Sequence, residues 1–255
     1  MCAEPAGVAR AVRIGVLGGT FDPVHLGHLA SAREIAAAFC LDRVLLVLSA
    51  RPPHKPSDAP AAAEVRWRML ELAVEEARHA AAPDTLLVPC DIELRRSGPS
   101  WTVDTLRELG RLHEGSELFL ILGIDAYEEI DTWSRPGEIP GLASIIVTTR
   151  PGRDFPDSAP LPPVAARPHA RYDPAIGAHV HTSGHTIRGY RIRGIEVSAT
   201  DIRRRVRSGL PIAHLTGEAV AEFIARNGLY RASVTEAGDP AGPSETTGTG
   251  RNEKS

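Results

Sequence analysis

Two imidazoles three residues apart, His25 and His28, follow a pair of glycines in Gly18-Gly19-Thr20-Phe21-Asp22-Pro23-Val24-His25-Leu26-Gly27-His28-Leu29. Glycines let a backbone approach a ligand closely, and the free N–H groups at a helix N-terminus point at whatever lies in front of them. A helix that begins near Pro23 or Val24 puts both imidazoles on one face of its first turn, where both can donate to the same phosphate chain. The chemistry suggested is polyphosphate binding by Gly18, Gly19, Thr20, Phe21, His25 and His28. Two rivals fit less of the string. His-x-x-His is half a metal site, but no Cys or acidic partner has zinc spacing nearby, and no metal ligand set is expected. The glycines also do not follow the G-x-G-x-x-G dinucleotide fingerprint.

A second helix start repeats this logic. Ser198-Ala199-Thr200-Asp201-Ile202-Arg203 follows an alternating stretch, Tyr190 to Val197, that reads as a strand. Ser198 and Thr200 can cap the helix, and their hydroxyls with its free N–H groups can hold phosphate. Arg203 lies three residues past Thr200 and faces the same side. Arg204 to Arg207 read as an ordinary solvated basic surface.

These residues need a scaffold, and the hydrophobic pattern supplies one. Val12 to Leu17, Arg43 to Ser49, Glu117 to Leu122 and Ala143 to Thr149 are apolar runs suited to strands covered on both faces. Leu86 to Val88 and Ile92 to Leu94 are shorter strand candidates. Helical spacing runs over Leu29 to Phe39, Ala61 to Ala80 (its charges read as a solvated face), Ser100 to about His113 with Ser100 as N-cap, and Glu218 to Arg226. Alternating strands and helices predict a Rossmann-like, doubly wound parallel sheet in a single α/β domain. In such sheets ligands bind beyond the carboxyl ends of the strands. The stiff turn Pro52-Pro53-His54-Lys55-Pro56 lies at that edge, which makes Lys55 a candidate phosphate contact. Gly123-Ile124-Asp125 lies there too; Asp is a common helix cap, and in a nucleotide enzyme a carboxylate so placed can accept from ribose hydroxyls.

The chain has 255 residues, 42% hydrophobic and 24% charged, with formal net charge −3. That balance excludes bulk nucleic-acid binding, which calls for a basic surface. An anionic substrate must then be drawn by a local positive cluster. Cys2, Cys40 and Cys90 read as free thiols of a reducing compartment, no run reaches the ~20 apolar residues of a membrane span, and a cytoplasmic protein is expected. Residues 1–11 read as a flexible extension, 12–231 as the domain, and 232–255 as a disordered tail. Residues 150–189, rich in Pro and Gly and carrying His169, His179, His181 and His185, read as an insertion loop with surface histidines.

The opening string resembles the signature of the (His/Thr)-x-Gly-His nucleotidyltransferases, and within them the bacterial nicotinate-nucleotide adenylyltransferases. Five motifs in family order, from Val12 to about Tyr230, carry the resemblance. It implies adenylyl transfer from ATP to nicotinate mononucleotide, giving nicotinate adenine dinucleotide and pyrophosphate in NAD biosynthesis. By resemblance, His25, His28 and Arg203 are catalytic, and Lys55, Gly123, Asp125, Ser198 and Thr200 join the ATP site. Lys55, Thr102 of Gly-Pro-Ser-Trp-Thr and Trp133 would meet the mononucleotide, with the indole stacked on the pyridine ring. Mg²⁺ would ride in on ATP rather than occupy a protein cage.

Three positions depart from the family pattern: Ile124 is bulkier than the usual Ala, Ala199 replaces a Ser, and Gly217 stands where Pro is common. Alternatives kept open are nicotinamide mononucleotide as acceptor and a non-catalytic nucleotide sensor. A phosphopantetheine enzyme would lack the Trp101 and Trp133 segments. A class I aminoacyl-tRNA synthetase would need a Lys-rich second signature. Oligomeric state is not legible in the sequence.

Overall fold

The computed structural model describes residues 10–52, 61–80, 86–149 and 159–231. Lys55, Cys2, most of the expected extension at 1–11 and the expected tail at 232–255 lie outside them.

Strands β1 (Arg13–Gly19), β2 (Arg43–Leu48), β3 (Leu86–Cys90), β4 (Glu117–Gly123), β5 (Ser144–Thr148), β6 (Ala170–Asp173), β7 (Ala178–His181) and β8 (Thr186–Tyr190) form one sheet in the order β3-β2-β1-β4-β5-β8-β7-β6. Pairing is parallel from β3 through β8, and β7 and β6 extend the edge antiparallel. Helices α1 (Leu26–Ala38), α2 (Ala63–Ala80), α3 (Thr102–Leu112), α4 (Ile124–Glu128), α5 (Ile139–Leu142), α6 (Ala199–Arg207), α7 (Ala213–Thr216) and α8 (Glu218–Arg226) cover it.

Strand residues alternate between two cores. Val44, Leu46 and Leu48 of β2 join Ile35, Met69, Leu70, Ile202 and Ile224 from α1, α2, α6 and α8. Leu45 and Val47 join Val103, Leu106 and Leu109 of α3 and Ile139 of α5 on the other face. This is why β2 reads as an unbroken apolar run. The chain leaves β1 toward β2 and β3, then returns to lay β4 on the other side of β1. The strand order therefore reverses between β1 and β4, the switch point where open sheets leave a crevice beyond the strand ends. The expected Rossmann-like, doubly wound fold is the one observed.

Local expectations need correction at several places. Over 159–189 the expected loop is folded: Val164–His169 is a 3₁₀ turn and β6, β7 and β8 belong to the sheet. The expected strand at Tyr190 to Val197 ends where it was to begin, because β8 pairs with β5 only as far as Tyr190. Ile92 to Leu94 is a turn, with Leu94 N–H donating to the Asp91 carbonyl. Trp101, not Ser100, occupies the N-cap of α3. Cys90 is a free thiol, as read from the sequence.

Gly217 explains its own departure from the family pattern. It precedes α8 at φ +89, and a Cβ there would lie 2.5 Å from a Glu76 carboxylate oxygen. That carboxylate accepts from the N–H groups of Glu218 and Ala219 at 3.0 and 3.1 Å, so a side chain from α2 caps α8.

Candidate active site

The helix after β1 begins at Leu26, two or three residues later than expected, with His25 at its N-cap. His28 is therefore the third helical residue, and its ring turns back. Its Nδ1 accepts from the His25 backbone N–H at 3.2 Å. In the neutral ring this places the proton on Nε2, which leaves that nitrogen a donor. The two imidazoles stack, with centroids 3.6 Å apart and planes at 20°. Phe21 packs edge-on against His28 at 5.0 Å. His25 is only 7% exposed, and burial pushes its pKa down to about 4, so it is neutral at pH 7.

Gly27 is what allows the stack. A Cβ there would sit 2.7 Å from Val197 Cγ1, 3.1 Å from His25 Nδ1 and 3.2 Å from the Ile195 carbonyl oxygen. The irregular segment after β8 thus lies directly against α1. Glu34 of α1 fixes it by accepting from the Arg193 N–H at 2.9 Å and the Gly194 N–H at 3.2 Å. This docking delivers the start of α6 to the imidazoles. Ser198 is its N-cap and accepts from the Asp201 N–H at 3.1 Å. Arg203 reaches across to the first motif, donating to the Asp22 carbonyl at 2.7 Å and to Thr200 Oγ1 at 3.3 Å.

Asp22 joins the pieces. Its carboxylate accepts from Tyr230 Oη at 2.7 Å and from the Ala61 N–H at 3.3 Å, and lies 3.9 Å from the Arg203 guanidinium. Burial, then the bond to Asp22, pushes the Tyr230 phenol pKa up, so it stays a donor. The structure therefore brings His25, His28, Thr200 and Arg203 together around the loop Thr20–Pro23.

The other expected residues line the same sheet edge on its far side. Gly123 ends β4 and Asp125 stands in the first turn of α4, beyond the last β1–β4 pair, Leu17 with Ile121. Thr102 opens α3. Trp133 is half-buried just after the turn Ile130–Thr132. Asp104 pairs with Arg135, and Arg107 with Glu138, so α3 is bound to the segment that follows Trp133. Ser100, instead of capping, accepts from the Arg51 N–H and donates its own N–H to the Arg51 carbonyl, both at 3.1 Å.

With this geometry in place, comparison with known proteins is informative. The cytidylyltransferase-like family pattern matches residues 16–205. The chain belongs to the cytidylyltransferase-like family. A relative named "Probable nicotinate-nucleotide adenylyltransferase" from Thermus thermophilus is 40% identical over 220 residues, 86% of this chain and 100% of the relative. One of the same name from Geobacter metallireducens is 38% identical over 221 residues, covering 86% and 98%. Among solved structures, the nicotinic acid mononucleotide adenylyltransferase of Plasmodium falciparum complexed with NaAD is similar in fold, with TM-score 0.62, 16% identity and coverage of 86% and 97%. As a cytidylyltransferase-like protein with relatives named nicotinate-nucleotide adenylyltransferase, the chain is a nucleotidyltransferase.

Three contributors escaped sequence reasoning: Asp22, Tyr230 and Arg66. Asp22 lay inside the quoted motif, but its neighbours did not point to a role. Tyr230 is 208 residues away along the chain. Arg66 was placed on the solvated face of α2, yet it is 1% exposed. A signal existed, because Arg66 shares the i, i+3, i+4, i+7 stripe with buried Met69, Leu70 and Ala73.

Proposed function

We propose that this nucleotidyltransferase transfers the adenylyl group of ATP to nicotinate mononucleotide, forming nicotinate adenine dinucleotide and pyrophosphate. The observation that carries the reading is the stacked His25–His28 pair at the N-terminus of α1, joined through the Thr20–Pro23 loop to Arg203, beside the switch point. The curated relatives' names point to the same reaction.

A phosphate oxygen of the mononucleotide attacks the α-phosphorus of ATP in line, and the bond to the β-phosphate's bridging oxygen breaks. The attacking oxygen is already ionised, so neither a nucleophilic side chain nor a general base is needed. Catalysis is positioning and charge stabilisation. His28 donates from Nε2 to an α-phosphate oxygen. His25, neutral and walled in, orients His28 through the ring stack and its backbone N–H. Arg203 keeps guanidinium donors beyond those used on Asp22 and Thr200, and these take charge developing on the leaving pyrophosphate. Ser198, Thr200 and the α6 N-terminus hold the distal phosphates; Gly18, Gly19, Thr20 and Phe21 line the approach. Asp125, with Gly123, receives the ribose, while Thr102 and Trp133 receive the nicotinate end. Lys55 completes the phosphate contacts.

The donor set suits an anion rather than a metal cage: two imidazoles, a guanidinium, and one carboxylate whose oxygens are engaged by Tyr230, Ala61 and Arg203. Among the described residues no group of three or more His, Cys, Asp or Glu side chains could hold a metal ion. Mg²⁺ would accordingly enter with ATP, held by phosphate oxygens and water, where it neutralises charge on the triphosphate. No described helix is long and apolar enough to cross a membrane, and both substrates are small nucleotides.

The test is pyrophosphate release from Mg·ATP with nicotinate mononucleotide or nicotinamide mononucleotide, with His28→Ala as control. Release with the acid far exceeding release with the amide, and falling on the order of 10²–10³-fold in the variant, is expected. Equal rates would make the enzyme dual-specific. No release with either acceptor would overturn the reading.

A further inference from the structure

Arg66 is a buried guanidinium that pairs with no carboxylate among the described residues. Among the described residues its hydrogen bonds all go to backbone carbonyls: Nε to Ala61 at 2.8 Å, Nη1 to Thr20 at 2.8 Å and Ser49 at 2.7 Å, and Nη2 to Ala50 at 3.1 Å. Thr20 follows β1, Ser49 and Ala50 follow β2, and Ala61 precedes α2. One side chain therefore gathers three segments at the carboxyl edge of the sheet. Leaving any of these donors unpaired in the interior would be costly, so the carbonyls are held facing it.

A trans peptide is planar, so a carbonyl oxygen and the N–H of the next residue point in opposite directions. Turning the Thr20 and Ser49 carbonyls toward Arg66 turns the N–H groups of Phe21 and Ala50 away from it. Among the described residues neither N–H donates to a protein acceptor. The Ala50 carbonyl is constrained in the same way, and the Arg51 N–H opposite it donates to Ser100 Oγ at 3.1 Å. That link extends the arrangement to the turn preceding α3.

We propose that Arg66 is a positioning residue for the phosphate site: by holding the Thr20 and Ser49 carbonyls it aims the Phe21 and Ala50 N–H groups, from the ends of β1 and β2, at the ATP phosphates. The inference rests on the adenylyl-transfer reading and adds a backbone donor, Ala50, and an organiser, Arg66, that the motifs do not announce. Charge alone is not the device. A lysine would keep the charge but lacks the rigid fork needed to hold carbonyls from three segments at once.

Two measurements test it. In the ¹⁵N-labelled wild-type protein, titration with Mg·ATP should shift the Phe21 and Ala50 amide resonances, and titration with adenosine should leave both in place. In Arg66→Lys, ATP affinity should weaken about tenfold or more while adenosine affinity stays within twofold. A purely structural role would move both affinities together or neither. If Arg66→Lys does not fold, the wild-type titration alone decides. Wild-type binding of ATP with silent Phe21 and Ala50 amides, or unchanged ATP affinity in folded Arg66→Lys, overturns the inference and leaves the proposed reaction intact. A wild-type protein that neither binds ATP nor releases pyrophosphate defeats the underlying reading instead.

Discussion

Burial of His25 makes folding stability depend on pH in the acid range. In the unfolded chain its pKa is near 6.5; in the folded protein desolvation lowers it to about 4. Between these values the unfolded state binds a proton that the folded state refuses. Stability contributed by this site is therefore fully present above pH 6.5 and is lost as pH falls toward 4. The two pKa values give a loss of about 2 kcal/mol at pH 5, approaching about 3 kcal/mol below pH 4. His25→Gln removes the titration while keeping a polar side chain at the N-cap. Urea unfolding of both proteins at pH 7.5 and pH 5 isolates the effect, because groups common to both cancel in the double difference. The wild type should lose about 2 kcal/mol more than the variant on acidification. A double difference below ~0.5 kcal/mol, or a His25 NMR resonance titrating at pH 6 or above, would refute the assignment of a neutral, walled-in His25.

Other perturbations follow from single contacts. Gly27→Ala drives a methyl into Val197, His25 and the Ile195 carbonyl, and should cost about 1–3 kcal/mol in thermal unfolding and at least about 10²-fold in pyrophosphate release. Near wild-type turnover would mean the imidazole stack does not depend on that clearance. Tyr230→Phe removes the 2.7 Å bond to Asp22 and should destabilise by about 1–3 kcal/mol in urea titrations, with kcat less affected than stability. Glu34→Ala frees the Arg193 and Gly194 N–H groups. Faster hydrogen exchange at those two amides and a severalfold higher KM for ATP are expected, and unchanged exchange would show that the segment is held by packing alone.

The motifs were legible because each is local. A strand, a tight turn and a helix start fall within about twenty residues, and apolar runs with glycine and hydroxyl punctuation mark them. The sheet order was legible as a class for the same reason. What failed is what depends on distant partners. Tyr190 to Val197 alternates like a strand, but β5 offers no pairing beyond Thr148 with Tyr190, and Glu34 instead captures the Arg193 and Gly194 N–H groups. The sequence from Val164 to Tyr190 looked irregular because its strands are short and half-exposed, without the long apolar run of β2. Arg66 was misplaced because propensity and charge argue for a solvated face. Four carbonyls overrule that, three of them from loops at least 16 residues away in sequence, and no side-chain pattern records where carbonyls point.

The electrostatics of the site close the question raised by a net charge of −3. Two guanidinium groups, Arg66 and Arg203, converge on the loop between β1 and α1: Arg203 lies 3.9 Å from the Asp22 carboxylate, and Arg66 holds the Thr20 carbonyl and feels the charge of Asp22 without bonding it. That carboxylate is itself occupied by Tyr230 and the Ala61 N–H, so its charge is partly dispersed into the protein. The mouth therefore keeps an excess of positive charge, reinforced by the N-termini of α1 and α6. His25 is held neutral there by burial and adds no charge of its own. On the proposed reading, an anionic substrate would meet a local positive field built from arginine and oriented peptides, with no charge from His25. It follows that attraction of an anion to this mouth should not depend on a charge on His25, which stays neutral well below pH 7.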